Sequence, residues 1–257
     1  MIQKTKTLIW FLKRPRFYPH LAHLVSRKLS PASARRDNTR QEALQWCAGL
    51  AVNTETALVQ LTGKTAPTPV ESLHSDYFDD AEKMARDCPV KMGGPGNLDL
   101  LYWSAEHLGA SRVIETGVAY GWSSLAILLS LRNRPDSELI STDMPYPHRN
   151  GDRYVGCVVP KELATGWRII QYPDRQALPR AVRALGTIDM CHYDSDKSYD
   201  GRMWAYRVLW KALRRGGLFL SDDIGDNIAF RDFSRMIECD PTVVEKDGKF
   251  VGVMVKP

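Results

Sequence analysis

Val113-Ile114-Glu115-Thr116-Gly117-Val118-Ala119-Tyr120-Gly121-Trp122-Ser123-Ser124 reads as a short apolar strand, a glycine turn and the first turn of a helix. The β-branched pair at its head suits a buried strand. Gly117 and Gly121 then leave room for a ligand to lie against the backbone at the strand's carboxyl end. The unpaired N–H groups that open the helix can bind a carboxylate, and Ser123 and Ser124 either add hydroxyl donors or cap the helix.

Outward from this stretch, Leu139-Ile140, Ile169-Ile170, Ile188 to Tyr193 and Leu218-Phe219-Leu220 are further runs of the buried-parallel-strand type. The segments between them are long enough for crossover helices, so five strand–helix units predict a Rossmann-like, doubly wound α/β domain over residues 97–257. Thr242 to Glu245 and Val251 to Val255 flank a turn at Asp247-Gly248-Lys249. They predict a C-terminal antiparallel hairpin that brings a mostly parallel sheet to seven strands. Residues 1–96 are expected to form an N-terminal helical extension acting as arm, lid or interface. Its second helix is expected from Asp37 or Asn38 to the stop at Gly63, with Ala43, Leu44, Cys47, Leu50 and Ala51 on one face, and a Pro-containing connector follows from Lys64 to Asp76.

A chain of 257 residues, 44% hydrophobic and 25% charged, buries a full core. The net charge of +5 is uneven: residues 1–36 carry nine Lys or Arg and no Asp or Glu, which leaves about −4 on the remainder. Those basic residues are interleaved with Trp10, Phe11, Phe17 and Tyr18 in short helices broken near Pro15 and Pro19. The pattern suits a helical arm packed on the domain or on a second subunit of a homo-oligomer, or an interfacial helix in peripheral contact with a membrane. It lacks a nucleic-acid motif. Five cysteines, odd in number and without a C-x-x-C pair, indicate reduced thiols in a cytoplasmic compartment. No apolar run approaches the roughly 20 residues that span a bilayer.

Two groups of acids locate the chemistry. Asp143 ends the second strand of the unit, where a carboxylate can take both hydroxyls of a ribose. The glycine spacing is G-x-x-x-G, and Glu115 just before the turn would repel a pyrophosphate but suits a cationic, amino-acid-bearing nucleoside. Asp194 ends the fourth strand, and Asp222 and Asp223 the fifth. Neighbouring parallel strands present their ends on one edge, so three carboxylates are expected to converge and to need a cation among them, Mg²⁺ or else Ca²⁺ or Mn²⁺. Lys197 is a candidate base, with pairing to Asp196 or Asp200 as its alternative role. His192 is a buried neighbour or a second candidate base. After Asp143, Tyr146, His148, Arg149 and Asn150 are expected to contribute to an acceptor pocket, and Gly93-Gly94-Pro95-Gly96 to hinge against the cofactor.

With Glu115, Gly117, Gly121 and Ser123 as E-x-G-x-x-x-G-x-S, the chain resembles the class I S-adenosylmethionine (SAM)-dependent methyltransferases over about residues 97–257. Asp194, Asp196 and Lys197 followed by Tyr199, then Asp222-Asp223, look most like the metal-dependent O-methyltransferases of catechols, caffeoyl-coenzyme A or macrolide sugars. The resemblance implies that Gly117, Gly121 and Ser123 hold the methionine moiety, Asp143 the ribose, and Asp174 the adenine region. It makes Asp194, Asp222 and Asp223 metal ligands. Asp223 departs from the asparagine of the phenol-methylating enzymes and agrees better with the sugar-modifying branch. The expectation is therefore a divalent-metal-dependent O-methyltransferase acting on a sugar or glycoconjugate hydroxyl. Its rivals are catechol or phenolic O-methylation, a related hydroxylase, and an NAD-dependent oxidoreductase, against which Glu115 and the glycine spacing count.

Overall fold

Eight strands in the order β1-β7-β8-β6-β5-β2-β3-β4 form a single twisted sheet. The computed structural model describes residues 2–64, 67–145 and 151–257, with side chains from residue 7 onward. The chain begins with helices α1 (Ile2–Leu12), α2 (Tyr18–Leu29), α3 (Pro31–Asp37) and α4 (Arg40–Leu50), then strand β1 (Ala51–Asn53). Helices α5 (Thr54–Thr62), α6 (Val70–Leu73), α7 (Ser75–Asp87) and α8 (Leu98–Leu108) lead into β2 (Arg112–Thr116), α9 (Trp122–Leu131), β3 (Glu138–Thr142) and β4 (Trp167–Ile170). Next come α10 (Asp174–Leu185), β5 (Ile188–Tyr193), α11 (Tyr199–Ala212), β6 (Leu213–Ser221), α12 (Ala229–Met236), β7 (Thr242–Lys246) and β8 (Lys249–Val255).

All five expected parallel strands are present, and their side chains alternate between two cores. Val113, Leu139, Met190 and Leu218 point to a layer under α8 and α9, and Ile114, Ile140, Cys191 and Phe219 to one under α10, α11 and α12. Strands buried on both faces cannot alternate polar with apolar, hence the continuous hydrophobic runs. The hairpin also forms: Asp247 and Gly248 turn at φ 53° and 74°, the left-handed pair that a two-residue hairpin of this type demands. Its strands are longer than expected, and only β8 runs antiparallel to its neighbours.

The sheet has eight strands where seven were expected. The single helix expected up to Gly63 is interrupted by β1, which pairs parallel with β7 through Ala51↔Val243 and Asn53↔Glu245. Three residues are too few to show a period of two, and Ala51 continues the apolar face of the helix before it. Asn53 both ends the strand and caps α5, its side-chain oxygen accepting from the Thr56 N–H at 2.8 Å. Gly63 terminates α5 with a left-handed φ of 68°. Strand β1 thus extends the sheet at its β7 edge, and α5 packs beside α8.

At the amino terminus the chain breaks at Pro15, which opens a short 3-10 turn, Pro15–Phe17, whereas Pro19 sits in the first turn of α2, where its missing N–H costs nothing. Trp10, Phe11 and Phe17 pack together against Met144 and Tyr172, so the arm is seated over the carboxyl edge of the sheet. All five cysteines are free.

Candidate functional site

The turn after β2 is built around close backbone approach. Gly117 has φ 79°, and a Cβ there would collide with the Asp194 carbonyl oxygen. Its N–H donates to the Thr142 carbonyl at 2.8 Å, tying the loop to the end of β3. At Gly121, φ is 98° and a Cβ would stand 2.9 Å from the Gly156 Cα. Asp143 accepts from the N–H groups of Val118 at 3.2 Å and Ala119 at 3.1 Å, so one carboxylate holds the loop open. Burial pushes its carboxyl up to about 6 against the pull of those two donors. Asp174 opens α10 and accepts from Ser195 Oγ at 2.6 Å and the Tyr193 hydroxyl at 3.1 Å, and burial raises its pKa as well.

Two residues expected to touch a cofactor lie beneath the loop instead. Glu115 is fully buried, and its Oε2 accepts from the hydroxyls of Ser124 and Ser141. Ser124 therefore serves the carboxylate, whereas Ser123, one helical position away, lines the cavity. The Glu115 Oε1 faces His192 Nδ1 at 3.6 Å, and His192 Nε2 faces Asp222 Oδ1 at 3.4 Å. Burial disfavours the imidazolium, but Asp222 and Glu115 outweigh it and push the His192 pKa up to about 10. A histidine held as a cation between two acids is not poised to take a proton.

Asp194, Asp222 and Asp223 do reach the same edge, because β5 and β6 pair in parallel with Tyr193 opposite Ser221. Arg202, wholly buried, donates to the Asp223 carbonyl at 2.8 Å and fixes this turn, in which Asp223 adopts a left-handed φ of 52°. The expected alternative pairing of Lys197 with Asp196 or Asp200 is not seen. Its ammonium bridges Asp194 Oδ1 and Asp223 Oδ2, the latter at 2.8 Å. Burial opposes the charge, but the two carboxylates overcome it and raise the lysine's pKa, while Lys197 holds Asp223 below the usual carboxylate range. Among the described residues no group of three or more His, Cys, Asp or Glu is placed to hold a metal ion. As placed, Lys197 bridges Asp194 and Asp223 and His192 faces Asp222, so a divalent cation would have to displace the lysine to reach these oxygens. Asp196 turns away to pair with Arg27 at 3.0 Å.

Both halves open into one cavity of about 800 Å³, lined by Gly117, Ser123, Asp143 and Asp174 on one side and by His192, Asp194, Lys197, Asp222 and Asp223 on the other. Gly93 to Gly96 also line it, and a Cβ on Gly96 would stand 2.9 Å from Asp222 Oδ2. Trp204 reaches the cavity, with Arg175 over its ring at 4.9 Å. Tyr199 instead donates to Asp232 at 3.0 Å. Tyr146, His148, Arg149 and Asn150 lie outside the described residues.

The roof was not anticipated residue by residue. His20, His23 and Leu24 from α2 line the cavity, and burial lowers both histidines below the ordinary imidazole range. Arg27 on the same face donates to Asp196 and Ser198, and Ser33 and Arg36 donate to Asp200. The available signal was the three-residue spacing of His20 and His23, and of Leu24 and Arg27, which gathers them on one side of a helix.

The fold is shared with known proteins. A family model described as a methyltransferase domain matches residues 114–224. The O-methyltransferase TomG of Streptomyces achromogenes, involved in tomaymycin synthesis and solved with SAM, has a TM-score of 0.57 at 20% identity over 73% of this chain and 94% of its own. An O-methyltransferase of Bacillus cereus in complex with SAH has a TM-score of 0.56 at 13% identity, over 82% of this chain and 100% of its own. The SAH-bound methyltransferase PaMTH1 of Podospora anserina has a TM-score of 0.52 at 15% identity, over 81% and 98%. No curated protein sequence matches the chain. Residues 114–224 are thus similar to a methyltransferase domain, and the chain has the α/β fold of these three enzymes.

Proposed function

We propose that the protein is a SAM-dependent O-methyltransferase. The observation that carries this reading is the single cavity joining the Gly117 turn to the Asp194, Lys197, Asp222 and Asp223 cluster. The donor suits the first half: Gly117 lets the loop pass against the Asp194 carbonyl, and Asp143, which lines the cavity, would accept from ribose hydroxyls. Asp174 stands at the neighbouring strand end, where an adenine would lie. Bound SAM supplies an electrophilic methyl on a sulfonium. The acceptor oxygen forms a bond to that carbon, the carbon–sulfur bond breaks, and sulfur keeps the electron pair.

The chain's own residues handle the acceptor. Lys197, held as an ammonium, places a positive charge beside the oxygen as its proton departs. His20 and His23 are held neutral over the same cavity and can receive that proton. Trp204, Arg175 and the acidic floor suit a polyhydroxylated acceptor of the sugar type, since a sugar offers an apolar face to an aromatic ring and hydroxyls to the charges. A divalent cation at Asp194, Asp222 and Asp223 would have to displace Lys197, and no step here passes through one.

Mass spectrometry for a 14-dalton gain across sugar and phenol panels, with SAM and with or without a chelator, tests the reading. Methylated sugar formed equally with the chelator present supports it. Loss of product on chelation, restored by Mg²⁺, would instead return the aspartates to a metal. No SAM binding by calorimetry, or NADH binding in its place, would sink the methyltransferase reading. Within it, the H20Q/H23Q double variant should slow turnover by about 10²-fold with little change in SAM affinity.

A further inference from the structure

Helix α2 is amphipathic in the wrong sense for a roof. His20, His23 and Leu24 face the cavity, while Tyr18, Ala22, Val25 and Leu29, spaced by four, three and four residues, form a stripe on the outer side. That stripe is open to solvent: Tyr18 is 44% exposed, Val25 50% and Leu29 78%. Leu8, Ile9 and Leu12 extend it along α1, opposite the buried Trp10 and Phe11. Half of the twelve exposed large apolar side chains among the described residues fall between Leu8 and Leu29. A solvated apolar patch of this kind marks a contact surface.

We infer that this outer face docks on an anionic membrane surface. The occupant follows from charge. Residues 1–36 carry nine Lys or Arg and no acid; Arg27 and Arg36 are paired inward with Asp196 and Asp200, whereas Lys13 and Lys28 border the stripe with their side chains in solvent. A second copy of this chain would bring the same positive field against itself, which costs free energy, whereas acidic headgroups neutralise it and the acyl boundary receives the leucines. No helix among the described residues is long and apolar enough to cross a membrane, so the contact is peripheral. The cavity lies on the other face of α2 and keeps its access to small molecules.

The test is co-sedimentation of the full chain with vesicles of phosphatidylglycerol and phosphatidylcholine, set against phosphatidylcholine alone. The wild type is expected to pellet with the anionic vesicles only, and less in 0.5 M NaCl. The V25D/L29D variant is expected to lose about tenfold in partitioning while keeping its circular dichroism and its activity on soluble acceptor. K13E/K28E is expected to weaken binding to anionic vesicles alone. Failure of the wild type to pellet, or pelleting unchanged in V25D/L29D, would overturn the inference. So would a wild-type dimer by light scattering that V25D/L29D converts to monomer, since the stripe would then be a subunit interface.

Discussion

At Gly117 two constraints coincide: a left-handed φ of 79° and an Asp194 carbonyl oxygen where a Cβ would stand. Gly117→Ala should therefore cost about 2 kcal/mol or more, lowering Tm by roughly 4–8 °C for a chain of this size, and should abolish SAM binding in calorimetry. Asp143 offers a pH signature. Its carboxyl ionises near 6 in the folded chain against an ordinary 3.8. Because the folded pKa is raised, the native state holds this proton more tightly. The group's contribution to stability is complete below about pH 4 and lost as pH rises through about 6. The ionised form is the better acceptor for two ribose hydroxyls, so SAM affinity should strengthen between pH 5 and 7. Calorimetry on Asp143→Asn should show weaker binding without that pH step.

Among the elements, legibility in the sequence followed burial. Strands β2, β3, β5 and β6 could be read because their central positions, buried on both faces, form short apolar runs, and the β7–β8 turn because Asp247-Gly248 satisfies a left-handed pair almost without alternatives. Strand β1 could not, because three residues between two helices carry no period of their own. The site divided in the same way. Asp143, Asp194, Asp222 and Asp223 were legible since a parallel sheet fixes which ends share an edge. The bridge from Lys197 to Asp194 and Asp223 was not, because it is chosen by a side-chain rotamer. Nor was the burial of Glu115 under Ser124 and Ser141, which depends on the register of β2 against β3. The roof was least visible of all: Arg27 meets Asp196 across 169 residues, and no local pattern encodes a contact of that span.

On the scale of the whole molecule, the basic first 36 residues and the net acidic remainder attract one another, and that attraction supplies part of what fastens the roof. Arg27 to Asp196 and Arg36 to Asp200 are only partly buried pairs, and each such pair contributes roughly 0–1 kcal/mol that salt diminishes. The apolar seat of Trp10, Phe11 and Phe17 remains as the salt-insensitive anchor. Ionic strength then acts as a valve on turnover. If departure of product past α2 limits the cycle, raising NaCl from 50 to 500 mM should increase kcat and KM together while leaving SAM affinity nearly constant, and Arg27→Gln should reproduce the high-salt behaviour at low salt. Steady-state kinetics across that salt series would reveal a latch whose strength is set by the surrounding electrolyte.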